Sequence, residues 1–311
     1  MAETRQNPLN GRWTILASDR DARPHDEPPS TEPAPPSLPD GPDVVADCPF
    51  CGGHERRTPP EVARRGGGGA DGPGWDVRVV PNRYPIVDGE EGIHEVVVLS
   101  PDHHRSFAQL TPEQAVGVLE MLQDRSRRHT AAGRRSVHVI LNHGAAAGAS
   151  LTHPHAQILA VDLPAPAVLE EVAHLATHGH CALCREIERL DGDTSLQIVG
   201  DDQSVAWCPW WSSTAYELLV APRRHVARFE DAGAELAGVA ATLRHGLARL
   251  DARLGDPPYN LFVHTRPTDV VDDFHWHIHV RPRLQVDAGF ELGTGLGVDT
   301  LDPAVAADRL R

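Results

Sequence analysis

The sequence predicts an α+β protein in which one unit, an antiparallel sheet with helices packed on it, is used twice. The first sign is that Thr152-His153-Pro154-His155-Ala156-Gln157 returns as His275-Trp276-His277-Ile278-His279, at an offset of 122 residues that also carries His103 onto His225. The second is a Cys-x-x-Cys pair in each half, Cys48/Cys51 and Cys181/Cys184. The third is a shared order of short apolar runs with one long helical pattern before the final pair of runs. At 311 residues the chain holds two such units, 1–165 and 166–311, each able to bury a core.

Taken in order, residues 12–16 (Arg-Trp-Thr-Ile-Leu) read as a strand, and residues 22–47, with eight prolines and many acids, read as an extended connector. Residues 64–74 are Gly-rich and read as a loop. Residues 77–80, 95–99 and 136–141 are runs of Val, Ile and Leu that suit buried strands. A helix is expected over 112–130, because Thr111 can cap it and Pro112 fits its first position. The second half repeats the order, with strands at 204–207 and 216–220, a helix at 231–254, a strand at 259–264 and the His-rich strand last.

Composition removes several function classes. A formal charge of -15 disfavours nucleic acid, whose phosphates require a cationic surface. All 29 basic residues are Arg, so Schiff-base chemistry and a Walker-type lysine are excluded. No secretory or membrane-length apolar run is visible, so a cytoplasmic address with no membrane partner is expected. Five cysteines in two Cys-x-x-Cys pairs plus Cys208 favour metal thiolates over disulfides in such a compartment, with Cys208 a buried thiol.

The chemistry gathers around the histidines. Residues two apart in a strand share a face, which groups His153, His155 and Gln157, and likewise His275, His277 and His279. His103 precedes His153 by 50 residues, as His225 precedes His275. Two Cys2His2 sets result, Cys48, Cys51, His103, His153 and Cys181, Cys184, His225, His275, each suited to a closed tetrahedral zinc site. His104 competes with His103, and the repeated offset favours His103. The bland reading is reduced buried cysteines beside unrelated histidines. His155 is left over, and Pro154 stiffens the chain where a nucleophile must be aimed. An imidazole can attack phosphorus when its other nitrogen is held by a carbonyl, which sets the tautomer. The preceding stretch Asn142-His143-Gly144-Ala145-Ala146-Ala147-Gly148-Ala149-Ser150 offers small residues and donors that can approach a phosphate. Trp207, Trp210, Trp211 and His138 read as packing residues, and His129, His174, His178, His180 and His245 as helical surface.

These segments, together with Asn7-Pro8-Leu9, Cys48-Pro49-Phe50-Cys51, Pro81-Asn82-Arg83-Tyr84-Pro85, Ser100-Pro101-Asp102-His103, Pro209-Trp210-Trp211 and Ala288-Gly289-Phe290-Glu291, resemble the galactose-1-phosphate uridylyltransferase family, the transferase branch of the histidine-triad superfamily. The resemblance implies tandem histidine-triad-like units and ping-pong exchange of UMP between UDP-hexose and hexose 1-phosphate, so a nucleotide sugar and a sugar 1-phosphate are the expected partners. It assigns the covalent nucleotidyl group to His155 and a phosphoryl contact to Gln157, where hydrolases of the superfamily carry a third His. It also assigns loop donors to Asn142, Gly148 and Ser150, nucleoside contacts to Asn82, Arg83 and Tyr84, and sugar contacts to Phe290 and Glu291. It implies a homodimer and zinc, two ions per chain, with iron a possibility in the second site. For that second site a set of Glu170 or Glu171 with His264, His277 and His279 competes with Cys181, Cys184, His225, His275, which the cysteines favour. Relatives resembling ADP-glucose phosphorylase suggest phosphorolysis as an alternative, and His275-x-His277-x-His279 suggests hydrolysis if the second unit were catalytic. A non-catalytic, zinc-stapled nucleotide-binding module is the alternative of another class.

Overall fold

Apolar runs spaced for strands become strands here because each finds a hydrogen-bonding partner, all but the first of them in one continuous sheet. The computed structural model describes residues 2–18, 43–177 and 179–311, so the connector expected at 22–47 lies for the most part outside the described residues, as does His178. Two short strands come first, β1 (Glu3–Gln6) and β2 (Trp13–Leu16). Then follow β3 (Ala63–Gly66), β4 (Trp75–Pro81), β5 (Gly92–Val98), helix α1 (Pro112–Ala131), β6 (Ser136–His143) and β7 (His155–Val161). After helices α2 (Pro166–Ala176) and α3 (Ala182–Gly192) come β8 (Gln197–Gly200), β9 (Ser204–Trp207), β10 (Leu218–Pro222), helix α4 (Glu235–Leu254), β11 (Tyr259–His264) and β12 (His277–Pro282). Helix α5 (Gly289–Thr294), β13 (Gly297–Asp299) and α6 (Pro303–Leu310) complete the chain.

Ten strands form one sheet in the order β3-β4-β5-β7-β6-β11-β12-β10-β9-β8, and β1-β2-β13 form a second, small sheet. From the β6–β11 seam outward, β6, β7, β5, β4, β3 answer β11, β12, β10, β9, β8, so the two halves repeat one another about the middle of the sheet. Every pairing in the large sheet is antiparallel, as the meandering runs predict.

The pleat then decides what faces what. Val97, Leu99, Val139, Leu141, Ala156, Ile158, Leu261, Val263, Ile278 and Val280 belong to one apolar core together with residues of α1 and α4. Their alternate neighbours, His155, Gln157 and Asn142 among them, therefore project from the opposite face. Thr111 caps α1 as expected, its side chain accepting from the Gln114 amide, with Pro112 at the first turn.

Four sequence expectations are corrected. The Gly-rich stretch 64–74, read as a loop, begins inside β3, which pairs with β4. The His-rich strands begin at His155 and His277, leaving His153 and His275 just outside them, where their rings are free to turn toward the cysteines. The helix expected from 231 starts at Glu235, because residues 229–231 form a 3-10 turn first. His129 is not on the surface: it is 5% exposed on α1, its Nε2 is 3.1 Å from Glu95 Oε2, and Arg125 pairs with the same carboxylate.

Candidate active site and metal centres

The two cysteine pairs meet their histidines as the spacing predicts. In the first half Cys48 Sγ lies 3.5 Å from His153 Nδ1, and Cys51 Sγ lies 3.3 Å from His103 Nδ1 and 3.7 Å from His153 Nδ1. In the second, Cys184 Sγ lies 3.2 Å from His225 Nδ1 and 3.5 Å from His275 Nδ1, with Cys181 Sγ 3.9 Å from His275 Nδ1. Zinc bonds of about 2.3 Å to sulfur and about 2.0 Å to nitrogen, at tetrahedral angles, put such atoms about 3.5 Å apart. The residues fit the metal. The outer ring nitrogens are also fixed: His153 Nε2 faces Ser100 O at 2.9 Å and His103 Nε2 faces Thr152 Oγ1 at 3.0 Å. In the second set His275 Nε2 faces Pro222 O at 3.0 Å and His225 Nε2 faces Asp273 Oδ1 at 2.9 Å. Such partners hold ligand rings in one orientation. His104 packs edge-on against His103, with ring centroids 4.8 Å apart, and takes no place among the four ligand atoms. Burial pushes the His153 imidazole down to about 4, which keeps it neutral as a ligand must be.

From His153 the geometry passes to His155. The His155 Nδ1–H donates to the His153 carbonyl at 2.9 Å. That places the ring proton on Nδ1 and leaves a lone pair on Nε2. Burial holds the His155 imidazole below its ordinary value, so the lone pair persists at neutral pH. The Phe50 ring, within the Cys48–Cys51 turn, packs 5.3 Å from the His155 ring and walls its apolar side. One step beyond the Leu141–Ala156 pair, Asn142 stands opposite His155 across β6 and β7. Asn142 Oδ1 accepts from Asn260 Nδ2 at 2.8 Å, and the same amide donates to Ala147 O at 2.8 Å, tying the small-residue loop to β11. In that loop Gly144 (φ 79) and Gly148 (φ 86) turn the chain in the left-handed region, and Ser150 is exposed at its end. A cavity of about 320 Å³ opens beside Asn142 and Asn260, lined further by Phe262, Arg281 and Arg283.

Gln157 shares the His155 face. Its Oε1 lies 2.8 Å from Nε2 of His94, a buried residue of β5 that the sequence reading missed. The Asn82 amide nitrogen lies 3.1 Å from the same ring, and its Oδ1 accepts from the Tyr84 amide at 2.8 Å. Asn82 therefore reaches Gln157 through one side chain. Arg83 stands over the exposed Tyr84 ring, 5.9 Å from its centroid.

A third donor cluster joins Glu171, His264, His277 and His279. Glu171 Oε1 lies 3.0 Å from His264 Nδ1, His277 Nε2 lies 3.0 Å from His279 Nε2, and the buried Glu171 Oε2 has no hydrogen-bond partner. One carboxylate and three imidazoles suit zinc or iron. The sequence reading set this cluster against the second cysteine set; the structure holds both, because they share no residue. His277 repeats the His155 device, its Nδ1 facing the His275 carbonyl at 2.9 Å, yet it is 2% exposed and its Nε2 turns into the cluster, not outward. Phe290 and Glu291, on α5, are not brought to His155 within the chain. Glu291 lines a cavity of about 280 Å³ with Glu217, His279 and Arg281 of the second half. Trp207 and Trp211 are buried in the core beside α3, as packing residues should be.

A family described as Domain of unknown function (DUF4921) matches residues 74–311. Over 349 residues the chain is 28% identical to ADP-glucose phosphorylase of Arabidopsis thaliana, covering 99% of this chain and 92% of that protein. It is 26% identical over 347 residues to galactose-1-phosphate uridylyltransferase of Thermotoga maritima, covering 100% of this chain and 98% of the other. The crystal structure of the Arabidopsis thaliana ADP-glucose phosphorylase with bound ADP-glucose matches with a TM-score of 0.85 at 26% identity, over 100% of this chain and 98% of that one. The α+β fold and the resemblance carried by the His-Pro-His segment are thereby borne out: the chain belongs to the DUF4921 family and is a relative of the galactose-1-phosphate uridylyltransferases.

Proposed function

We propose that the chain transfers a nucleoside monophosphate from a nucleotide sugar to a phosphate-bearing acceptor through a covalent nucleotidyl group on His155. The observation that carries this reading is the tautomer set by the His153 carbonyl, which leaves a lone pair on His155 Nε2, with Asn142 opposite His155 one step beyond the Leu141–Ala156 pair. Nε2 attacks the α-phosphorus, the bond from that phosphorus to the bridging oxygen breaks, and the sugar 1-phosphate departs as a stable anion, so no strong general acid is needed. The positive charge that develops on the imidazole is met by the His153 carbonyl dipole. Gln157, Asn142 and the loop amides donate to the phosphoryl oxygens, and Asn82, Arg83 and Tyr84 take the nucleoside. The acceptor then attacks phosphorus from the side the sugar phosphate left, and His155 is regenerated. Zinc held by Cys48, Cys51, His103 and His153, and by Cys181, Cys184, His225 and His275, would supply rigidity and not chemistry, since four protein ligands would leave no open position.

Two finer readings share the covalent step. UMP exchange between UDP-hexose and hexose 1-phosphate by a homodimer follows the His-Pro-His-x-Gln resemblance. Phosphorolysis of ADP-glucose is favoured by the likeness to the Arabidopsis thaliana enzyme over 99% of the chain. No helix among the described residues is long and apolar enough to cross a membrane. The test is to incubate the purified protein with UDP-glucose or ADP-glucose and then with galactose 1-phosphate or inorganic phosphate. An adduct discharged by the sugar phosphate supports exchange, and one discharged by phosphate alone supports phosphorolysis. Absence of an adduct with either nucleotide sugar overturns the proposal.

A further inference from the structure

Gln157 can serve a phosphoryl group only if its amide nitrogen, and not its oxygen, faces the substrate, because phosphoryl oxygens accept hydrogen bonds and do not donate them. Nothing intrinsic to a glutamine side chain enforces that choice. The surroundings of His94 do. The backbone N–H of Ile86 lies 3.0 Å from His94 Nδ1, and a peptide N–H can only donate. Nδ1 must then be the unprotonated nitrogen, and the ring proton sits on Nε2. Nε2–H donates to Gln157 Oε1 at 2.8 Å, so the oxygen is taken and the amide nitrogen, with two donors, is left for the open face. Asn82 Nδ2, also a donor, lies 3.3 Å from Nδ1 and 3.1 Å from Nε2; Nε2 carries the ring proton, so any bond from Asn82 shares the one Nδ1 lone pair with the Ile86 N–H. The Asn82 backbone N–H donates to the His94 carbonyl at 2.8 Å, which ties the start of the loop 82–86 to β5.

From this chain of directed hydrogen bonds we infer that His94 is a positioning residue: it fixes the Gln157 amide in its donating orientation and links that orientation to the loop 82–86. The inference rests on the reading of His155 as the nucleotidylated residue. Direction runs from a fixed peptide group, Ile86, through the imidazole to Gln157. The nucleoside contacts expected at 82–84 and the phosphoryl contact at Gln157 thus share one support. A substitution that removes the Nε2–H donor frees the Gln157 amide to rotate, so that its oxygen as well as its nitrogen can face the phosphoryl group.

Two measurements test it. The first is a double-mutant cycle on single-turnover formation of the nucleotidyl adduct. Replacing a residue that orients a contacting group, and not the contact itself, is expected to cost about 10- to 100-fold in rate. His94→Phe, which keeps a ring but no donor, should slow adduct formation by that much, with a smaller rise in KM for the nucleotide sugar because the loop 82–86 loses the same support, and His94→Asn, which keeps a donor, should restore part of the rate. In a Gln157→Ala background the same His94→Phe change should cost less than about 2-fold. An undiminished loss in that background, or full activity of well-folded His94→Phe, overturns the inference. The second is the pair of ring 15N shifts of His94 in the unreacted protein, assigned by their loss in His94→Asn. A protonated Nε2 and bare Nδ1 are expected, and a protonated Nδ1 overturns the inference whether or not any nucleotide sugar reacts. Failure of the wild-type chain to form an adduct strikes the proposed function itself, and is thereby distinguished from failure of the cycle.

Discussion

His155 and His277 are the same residue of the same unit, yet they end in opposite situations. Each follows a metal-set histidine by two positions, each opens its strand, and each faces that histidine's carbonyl with Nδ1 at 2.9 Å. The backbone device is thus duplicated with the fold. What differs is the ground in front of Nε2. Before His155 stand Asn142, a small-residue loop and Gln157; before His277 stand His279, 3.0 Å away, and Glu171, 3.7 Å away. The counterpart of Asn142 at the shared offset is His264, a further member of the second cluster. Duplication copied the support, and a few side chains decided whether the lone pair meets a substrate or a donor cluster.

The largest effect expected from this comparison is catalytic. His155→Ala should lower transfer by at least about 10⁴-fold, as loss of a covalent nucleophile does, while His277→Asn should stay within about tenfold of wild type in single-turnover transfer. Equal losses would dissolve the distinction between the halves.

Next comes the metal support. Cys48→Ser with Cys51→Ser should remove one equivalent of metal by elemental analysis and slow transfer by about 100-fold, because the first centre holds the His153 carbonyl that sets the His155 tautomer. Cys181→Ser with Cys184→Ser should also remove one equivalent and lower Tm by about 5–10 °C, yet leave transfer within about 3-fold.

A smaller effect tests the residue that the copy changes. Gln157→His places in the first half what His279 is in the second. An imidazole can take a proton from water and an amide cannot, so spontaneous hydrolysis of the nucleotidyl adduct should rise by about tenfold, read as nucleoside monophosphate released without acceptor.

The smallest concerns buried acids. In the first half burial opposes the charge on Glu95, but His129 and Arg125 outweigh it and hold its carboxyl below the usual range. In the second half burial, reinforced by Glu217, pushes Asp299 up to about 7. Between about pH 4 and pH 7 the folded chain then keeps a proton on Asp299 that the unfolded chain has released, so this group's contribution makes stability fall as pH rises. Asp299→Asn should flatten that slope, measured as Tm across pH 4 to 8; an unchanged slope assigns the pH dependence elsewhere.

Legibility in the sequence followed the same divide between backbone-local and dispersed features. The cysteine sets were readable because Cys-x-x-Cys is local and the 50-residue interval occurs twice. The longer strands and the two long helices were readable from apolar spacing and, for α1, from Thr111-Pro112; β1, β3, β8 and β13 are short, lack an apolar run, and were not. Helices α2 and α3 were not, since their apolar faces cover only patches beside the metal sets and carry no repeat of the first half. His94 was invisible because its partner Gln157 lies 63 residues away, and a single histidine in an apolar strand carries no pattern of its own. Asn260 was lost for the same reason, its partner Asn142 being 118 residues distant. The third donor cluster was legible only as a rival, because sequence order does not show that His275 turns one way while His277 and His279 turn another.

The most direct test of the central claim is to locate the adduct. After reaction with UDP-glucose or ADP-glucose and quenching at alkaline pH, peptide mass mapping should place a single acid-labile nucleotidyl group on His155, absent in His155→Ala and retained in His277→Asn. An adduct on His277, or a wild-type chain that releases nucleotide with His155 never modified, would contradict the account.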